Sequence, residues 1–598
     1  MGVTDPVRPR RPFNSIKFFV FCHCLLQLSQ LLVSGYMKSS ISTIERRYGL
    51  SSQKSGLLAA FNEVGNTVLI VFVSFFGSRV HRPRFIGGGA LLAGVASLLM
   101  ATPHFLSGKY HYGDHVNTSV LCQSESGPAA PSSNQSCLAQ QSSAQQVVYP
   151  LLLLAQLLLG VASVPIQPFG ISYIDDHASR RNSPLYLGIL LAVTSIGPAF
   201  GFVTGAFMLR FYVDFDKLTK DQIKLDSKDL RWVGAWWVGF LMAACLLFIT
   251  ALPYFFFPRN MPKEEAADDA ESKPDGKQQT KPLQELSLLQ FLKSFPRIAL
   301  RTLRSPIYLL VVLAQVNLAA LLSGLATFMA KFIERQFSQT VSFSTMMIGA
   351  VGIPMAVLGT VLGGALMRRF NLSVSGSSKL CTAAILLCMF SAMPLLLIGC
   401  PTQTVAGVFP SRELSCSSGC RCPQEAFNPV CGSDGVEFRS PCHAGCLSVE
   451  TDADNKVTNY TDCRCVGGLA VALPGTCGSG CSHLLRPFMV LLALTSFIAA
   501  FSQTPSYMMI LRSVPTEDKS FAVGVQYMLF RVLGESTFLG LQVVFVCGAL
   551  LCFLLTVVVL RRRRAELQEL QPDNKGGYEL VNEHKAADGS KEENGTKT

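Results

Sequence analysis

The sequence predicts an all-α polytopic membrane protein of twelve helices, arranged six and six, with one small disulfide-rich domain outside the bilayer. Three observations predict it. The 598 residues are 49% hydrophobic and only 15% charged, with a mean hydropathy of +0.35, too apolar for a soluble chain of this length. A bilayer core about 30 Å thick takes roughly 20 apolar residues as a helix, and uncharged runs of that length recur along the chain. Ten of the 20 cysteines crowd into 416–481, a stretch rich in Gly, Pro, Ser and Asn that no bilayer could hold.

In order, residues 1–15 form an N-terminal segment whose Pro6 stands where a myristoylation motif wants serine or threonine. The run 16–37 lacks a small-residue cleavage site and exceeds a signal-peptide core, so it reads as a retained first span. Runs at 55–78, 85–106, 147–173, 184–209 and 232–257 complete a six-helix half over 16–257. Residues 258–305 form a linker whose "PKEEAADDAESKPDGKQQTKP" has the composition of a disordered connector. Helices seven to nine occupy 306–399 (runs 306–330, 344–367 and 380–399) and the cysteine module 400–486; helices ten to twelve occupy 487–560 (runs 487–511, 520–533 and 538–560), before a tail over 561–598.

The module's cysteines (Cys416, Cys420, Cys422, Cys431, Cys442, Cys446, Cys463, Cys465, Cys477 and Cys481) argue for disulfides in an oxidising compartment, and Asn459-Tyr460-Thr461 is a glycosylation sequon. The loop 107–146 carries sequons at Asn117 and Asn134 and the isolated pair Cys122 and Cys137. Both segments are expected outside, which makes both termini cytoplasmic and puts Arg79, Arg82, Arg84, Arg180, Arg181, Arg368 and Arg369 inside, as the positive-inside rule asks. Arg46, Arg47 and the lysines of 217–228 fall outside, beside Glu45 and five aspartates. The net charge of +12 then reflects cytoplasmic Lys and Arg and implies no nucleic-acid partner.

The linker splits the spans six and six, and "FFGSRVHRPRFIGGG" after span two is echoed by "LGGALMRRFNLSVSG" after span eight. Two such halves are the plan of the major facilitator transporters, which bind substrate near the midplane where the halves meet. The basic loop after span two lacks the aspartate usual in that superfamily's loop motif.

Specific wording narrows this further. The run "DLRWVGAWWVGFL" at 229–241 holds all three tryptophans, Trp232, Trp236 and Trp237, with Asp229, Arg231, Gly234, Ala235 and Gly239. With "MKSSISTIERRYGLSS", "FNEVGNT", "GSRVHRPR", "VPIQPFGISYIDD" and "NPVCGSDGVEFRSPCHAGC", it resembles the organic anion transporting polypeptides over 13–533, most like subfamily 2B and near the prostaglandin transporter. The resemblance implies sodium-independent plasma-membrane transport of bulky amphipathic anions: steroid sulfates and other conjugates, prostanoids, thyroid hormones and bile acids. Acid outside is expected to favour uptake. It implies small-molecule anions and membrane lipid as partners, an exchanged counter-anion such as bicarbonate, and no cofactor, metal or enzymatic activity.

An ionisable residue inside a span marks a pathway by default. Arg531, in "GVQYMLFRVL", matches a family arginine near the substrate path; its guanidinium can grip a sulfate or carboxylate through two parallel hydrogen bonds, or serve as a structural partner. Glu63 and Asn66 lie one face apart in span two; Glu63 is a poor anion ligand and reads as the partner of a buried cation or as a gate. Gln27, Gln30 and Gln526 suit a sulfate or a neighbouring helix equally. His104, in "TPHFL" at the outer end of span three, is the candidate pH sensor or simply an interfacial histidine. In the tryptophan run, Trp232 is expected as an anchor at the outer water line marked by Asp229 and Arg231, with Trp236 one turn deeper on the same helical face.

The cysteine module resembles a Kazal domain, with ten residues between Cys431 and Cys442. Eight residues separate Cys422 from Cys431 where seven is usual, and three separate Cys442 from Cys446 where two is usual, so a structural cap is favoured over protease inhibition. After "FRVL" the family wording breaks and "GEST" leads straight into the last run. Residues 520–533 span only about 21 Å as helix, so helix eleven reads as truncated. A hairpin turning at Gly534-Glu535 keeps Arg561–Arg564 inside; failure of the short helix would reverse the last span. The alternative functions are a transport-deficient truncated isoform or a membrane-tethered Kazal-type inhibitor or adhesion protein.

Overall fold

The computed structural model describes residues 12–110, 135–218, 232–264, 288–337, 346–398, 405–406, 416, 420, 429–451, 457–475, 477, 482–534 and 542–570. The N-terminal half comprises α1 (Ile16–Tyr48), α2 (Ser52–Phe75), α3 (Arg82–Leu106), α4 (Gln135–Ser163), α5 (Ile166–His177), α6 (Ser183–Met208) and α7 (Trp236–Ala251). Then come α8 (Leu288–Leu303), α9 (Pro306–Phe337), α10 (Ile353–Phe370), α11 (Val374–Leu397), α12 (Leu485–Phe501), α13 (Gln503–Arg512), α14 (Lys519–Gly534) and α15 (Gln542–Leu570). With α4–α5 and α12–α13 each taken as one broken span and α8 set aside, these are the twelve spans in their expected order. Large apolar side chains such as Phe21, Val68, Ile249 and Phe390 point outward from the bundle, the surface a lipid-embedded protein presents.

Prolines explain the interruptions. A proline removes one helical hydrogen bond and clashes with the carbonyl four residues back. Pro168 follows the break at 164–165, Pro505 follows the break at Ser502, and Pro354 follows a π turn over Ile348–Gly352. Pro198 leaves α6 unbroken, and Gly35 of α1 accommodates it: a Cβ on Gly35 would stand 2.3 Å from the Pro198 carbonyl oxygen.

Two expectations are corrected. The linker is not a structureless connector throughout, because its last third is α8, whose Phe295, Ile298 and Ala299 pack on Phe75, Phe521 and Val525. The acidic composition ends before this apolar periodicity begins. Span six starts at Trp236, so Trp232 lies before the helix and does not share a helical face with Trp236. The chain at Gly234 instead forms a bridge with Tyr212, beyond the end of α6.

The two halves meet along two seams, α2 against α14 and α6 against α10. Small residues bring the backbones together. A Cβ on Gly364 would lie 2.6 Å from the Pro184 carbonyl oxygen, and one on Gly524 would lie 2.2 Å from Ser74 Oγ.

Between α11 and α12 a six-stranded sheet forms the Kazal-like domain: β1 (Val405–Ala406), β2 (Val430–Gly432), β3 (Glu437–Phe438), β4 (Ser448–Thr451), β5 (Val457–Thr461) and β6 (Ala472–Pro474), in the order β1-β3-β2-β6-β5-β4. Disulfides join Cys416 to Cys465, Cys431 to Cys477 and Cys446 to Cys463, and Cys420 and Cys442 are also disulfide-bonded. Asn459 is on β5. Cys422, Cys481, Cys122, Asn117, Asn134, Asp229, Arg231 and the side chain of Cys137 lie outside the described residues, as does most of the Kazal loop before β2.

Candidate functional site

At the end of the bundle that carries the linker, α5 finishes in Asp175 and Asp176 while α14 begins at Lys519. Lys519 Nζ donates to Asp175 Oδ2 at 2.5 Å and to Asp176 Oδ1 at 3.1 Å, across the boundary between halves. Arg82, the first residue of α3, donates to Asp176 at 2.6 Å, and Ser183 Oγ donates to Asp175 at 2.6 Å. Ser172 and Ser520 hydrogen-bond across the same boundary at 2.7 Å. Two acids and two bases balance, which is the condition for keeping such charges in a largely buried place. The carboxylates that the loop after span two lacks are supplied here from the end of span four. Beside this cluster Asp518 pairs with Arg301 of α8; burial raises its carboxyl, and the guanidinium opposes that rise.

At the middle of α2 and in the last turn of α14, Arg531 Nη1 donates to Glu63 Oε2, so the two ionisable candidates meet each other across the halves. Both remain partly exposed, with side-chain exposures of 21% and 34%. Gln526 bonds to a neighbouring helix through its amide nitrogen. Its Nε2 donates to Gln315 Oε1 at 2.5 Å, and Gln315 Nε2 donates to Ser506 Oγ at 2.6 Å, linking α14, α9 and α13 within the second half. Asn66 is buried and donates to Ser163 of α4, away from Glu63's partner. Among the described residues, the side-chain carbonyl oxygens of Gln27, Gln30, Asn66 and Gln526 are buried without a hydrogen-bond partner. A buried acceptor left so is costly unless water or a ligand reaches it.

At the opposite end, His104 is buried, with Nε2 3.1 Å from Asp216 Oδ2 and its ring stacked 4.3 Å from Trp237. Phe215 stacks on Trp237 at 5.6 Å, and Trp237 Nε1 donates to the Val213 carbonyl. His104, Asp214 and Asp216 bring donor atoms within 4.8 Å of one another, a spacing that would suit a metal. Lys217 occupies this neighbourhood: its ammonium lies 3.6 Å from Asp214 and donates to the carbonyls of His104 and Ser107. That cation already supplies the charge a metal would bring, so the cluster reads as a fastening of α3 to the segment after α6.

The tryptophan run is built for packing. Trp236 is fully buried, Trp232 Nε1 donates to the Leu209 carbonyl, and Tyr36 donates to the Trp236 carbonyl at 2.7 Å. Ala235 is buried; its N–H donates to the Phe211 carbonyl. Gly239 and Gly234 make the room, because a Cβ there would strike the Tyr36 ring and the Leu209 backbone respectively.

Sequence reasoning named Arg531 and Glu63 but missed Lys519, Asp175, Asp176 and Gln315. The adjacent acids of "YIDDH" and the lysine opening "KSFAVGVQ" are readable signals, yet their partnership depends on the crossing of α5 and α14.

A model of the Organic Anion Transporter Polypeptide (OATP) family matches residues 18–536. Rat "Solute carrier organic anion transporter family member 2B1" is 45% identical over 637 aligned positions covering 94% of this chain and 93% of that protein; its human counterpart is also 45% identical, covering 94% and 91%. Mouse member 1C1 is 31% identical, covering 89% and 80%. Among solved structures, the major facilitator superfamily transporter FucP in the outward conformation is similar with a TM-score of 0.50 and 10% identity, covering 92% of this chain and 99% of that one.

Proposed function

The chain belongs to the organic anion transporter polypeptide family and has the major facilitator fold; from that premise we propose that it carries large amphipathic organic anions across the plasma membrane by alternating access. Steroid sulfates and other conjugates, prostanoids, thyroid hormones and bile acids are the substrate class, moved without sodium and faster when the outside is acidic. The carrying observation is the Arg531–Glu63 pair, which sets an always-charged anion binder on one half against a carboxylate on the other.

In the empty carrier Glu63 occupies Arg531. An incoming sulfate or carboxylate takes Glu63's place with two parallel charge-assisted bonds, and the apolar walls hold the sterol or acyl body. Glu63, left without its partner, then favours the arrangement in which the halves part at the linker end. Opening there separates Lys519 from Asp175 and Asp176, so the binding energy of the anion must favour the open arrangement by enough to offset that loss. His104 is the proposed site of acid stimulation. His104→Gln is expected to flatten the pH profile of uptake, and a retained acid optimum would exclude it.

Cytoplasmic termini are supported by Leu560, which packs in one cluster with Ile307 and Val514 at the linker end and so brings Arg561–Arg564 there. A second reading, a truncated chain that does not transport, is favoured by one observation: the match to the rat relative runs over 637 aligned positions, more than this chain's 598 residues. Uptake of a radiolabelled steroid sulfate by vesicles containing the purified protein, beside the same chain with a relative's segment restored after residue 533, decides between them. Saturable uptake by the chain as it stands supports transport; uptake only after restoration establishes the truncated reading.

A further inference from the structure

Among the described residues, helix α8 is the helical part of the linker. Its axis turns through 76° into α9 at the break after Leu303, so with α9 crossing the membrane α8 lies close to the membrane plane. One face is spent inside the protein. Phe295 contacts Phe72 and Phe75 of α2 at ring separations of 5.8 and 5.1 Å, and Phe521 of α14 at 5.9 Å, so a single side chain touches both halves at their seam. Arg301 fastens the same helix to Asp518, the residue before Lys519.

The other face follows a helical stripe: Lys293, Arg297, Leu300 and, just past the end, Arg304. Leu300 is 63% exposed and Leu303 42%. Among the described residues, none of the three bases has an ion-pair partner. Exposed leucines between unpaired cations are unfavourable in bulk water. They suit an interface, where the leucines enter the acyl boundary and the long basic side chains reach the phosphates.

We propose that this edge of α8 is a docking surface for anionic phospholipid headgroups of the adjacent leaflet, and that lipid seated there holds α8 across α2 and α14. Anionic lipid concentrates in the cytoplasmic leaflet, so the proposal rests on the sidedness inferred above. Bound lipid thereby favours the arrangement closed at the linker end. A leaflet depleted of anionic lipid frees the helix and eases opening there.

The test begins with the full-length protein in detergent, with retained lipid counted by native mass spectrometry after titration with phosphatidylserine or phosphatidylcholine. Each base near an anionic surface is worth about fivefold in affinity, so Lys293→Gln/Arg297→Gln/Arg304→Gln is expected to weaken phosphatidylserine binding by at least tenfold and leave phosphatidylcholine unchanged. Leu300→Ser/Leu303→Ser, which keeps all three charges, should lose binding severalfold and distinguishes lipid from a soluble anion. Glycerophosphoserine should not compete. Equal retention by the triple variant, or full competition by the soluble headgroup, overturns the proposal. In vesicles, the crosslinking yield of a Phe295→Cys/Phe521→Cys pair should rise severalfold with phosphatidylserine; a yield indifferent to lipid removes the clasp. Neither readout needs substrate, so lipid binding without uptake would fail the transport reading and leave this one standing.

Discussion

The two halves are built from the same number of spans but packed differently. In the first, α1 to α7 share one continuous core that runs from Phe19 and Ile86 through Tyr173 and Leu190 to Trp236 and Phe240. In the second, Met367, Tyr507, Met508, Leu511 and Val523 join that same core, and the other described buried residues fall into smaller clusters, with the side chains of 321–328, which separate two of them along α9, outside the described residues. One, around Tyr308, Cys381 and Phe553, sits toward the linker end; another, around Ile333, Phe337 and Phe488, lies toward the Kazal-like domain; a small one at Cys388 and Ile498 stands between them. The π turn before α10 and the Ser502 break fall in the second half, against the single break at 164–165 in the described spans of the first. A helix bends most easily where its hydrogen-bond ladder is interrupted. The first half is thus the frame and the second the yielding member.

The largest expected effect lies where the yielding half is latched to the frame. Lys519→Met leaves Asp175 with Ser183 alone and Asp176 with Arg82 alone in a largely buried place, and breaking a buried pair costs up to about 3–5 kcal/mol. Thermal unfolding of the purified protein should begin several degrees lower and uptake should fall by more than tenfold, while Lys519→Arg keeps most of both. Unchanged values for the Met variant would show that packing alone closes the linker end. Next, Arg531→Ala should raise the KM for a steroid sulfate by about ten- to a hundredfold, the range of a lost hydrogen bond to a charged group. Glu63→Gln frees Arg531 and should lower KM modestly while slowing turnover; identical effects from the two substitutions would mean that the pair is only structural.

Smaller effects sharpen the comparison. Pro505→Ala restores a hydrogen bond across the bend in the second half and should reduce kcat severalfold, while Pro198→Ala in the first half, where the helix is already continuous, should change it little. Equal losses would erase the distinction between frame and yielding member. Smallest of all is a pH effect in the Kazal-like domain. Burial, aided by Arg439, depresses the His443 pKa below its ordinary 6.5, so the folded domain favours the neutral ring. Its contribution is intact above that value and is lost as pH falls from there through the depressed folded pKa. Proteolysis of the 400–486 region in the full chain should therefore quicken slightly on acidification, and His443→Asn should flatten that dependence.

Much of this architecture was legible because length and polarity set it. Runs of apolar residues fall on the long described helices in their order, and the cysteine crowding falls on the six-stranded sheet. The breaks inside spans four and ten were only hinted at, since Pro168 and Pro505 interrupt their helices whereas Pro198 leaves α6 whole. The linker misled because its acid-rich first part dominated the composition, while α8 depended on seating Phe295 against two distant helices. At the candidate site, charge inside a span exposed Arg531 and Glu63. The Lys519 cluster escaped because its members lie at helix ends, where charges are ordinary. The tryptophans misled in geometry, since a helical wheel assumes a helix and Trp232 precedes it.

One further consequence follows from the length of α1. The apolar run suggested 22 residues at most, but the helix continues to Tyr48, 33 residues or about 50 Å. Its last turns project past the hydrocarbon as a mast to which the rim is tied: Arg46 donates to the Trp232 carbonyl, Arg47 to the Gly108 carbonyl, and Ser55 bonds to Glu45. A mast fixed in the frame converts a small tilt at its foot into a large sweep at its tip. The end of the bundle that carries His104 would then move as a rigid rim, with no loop needing to refold.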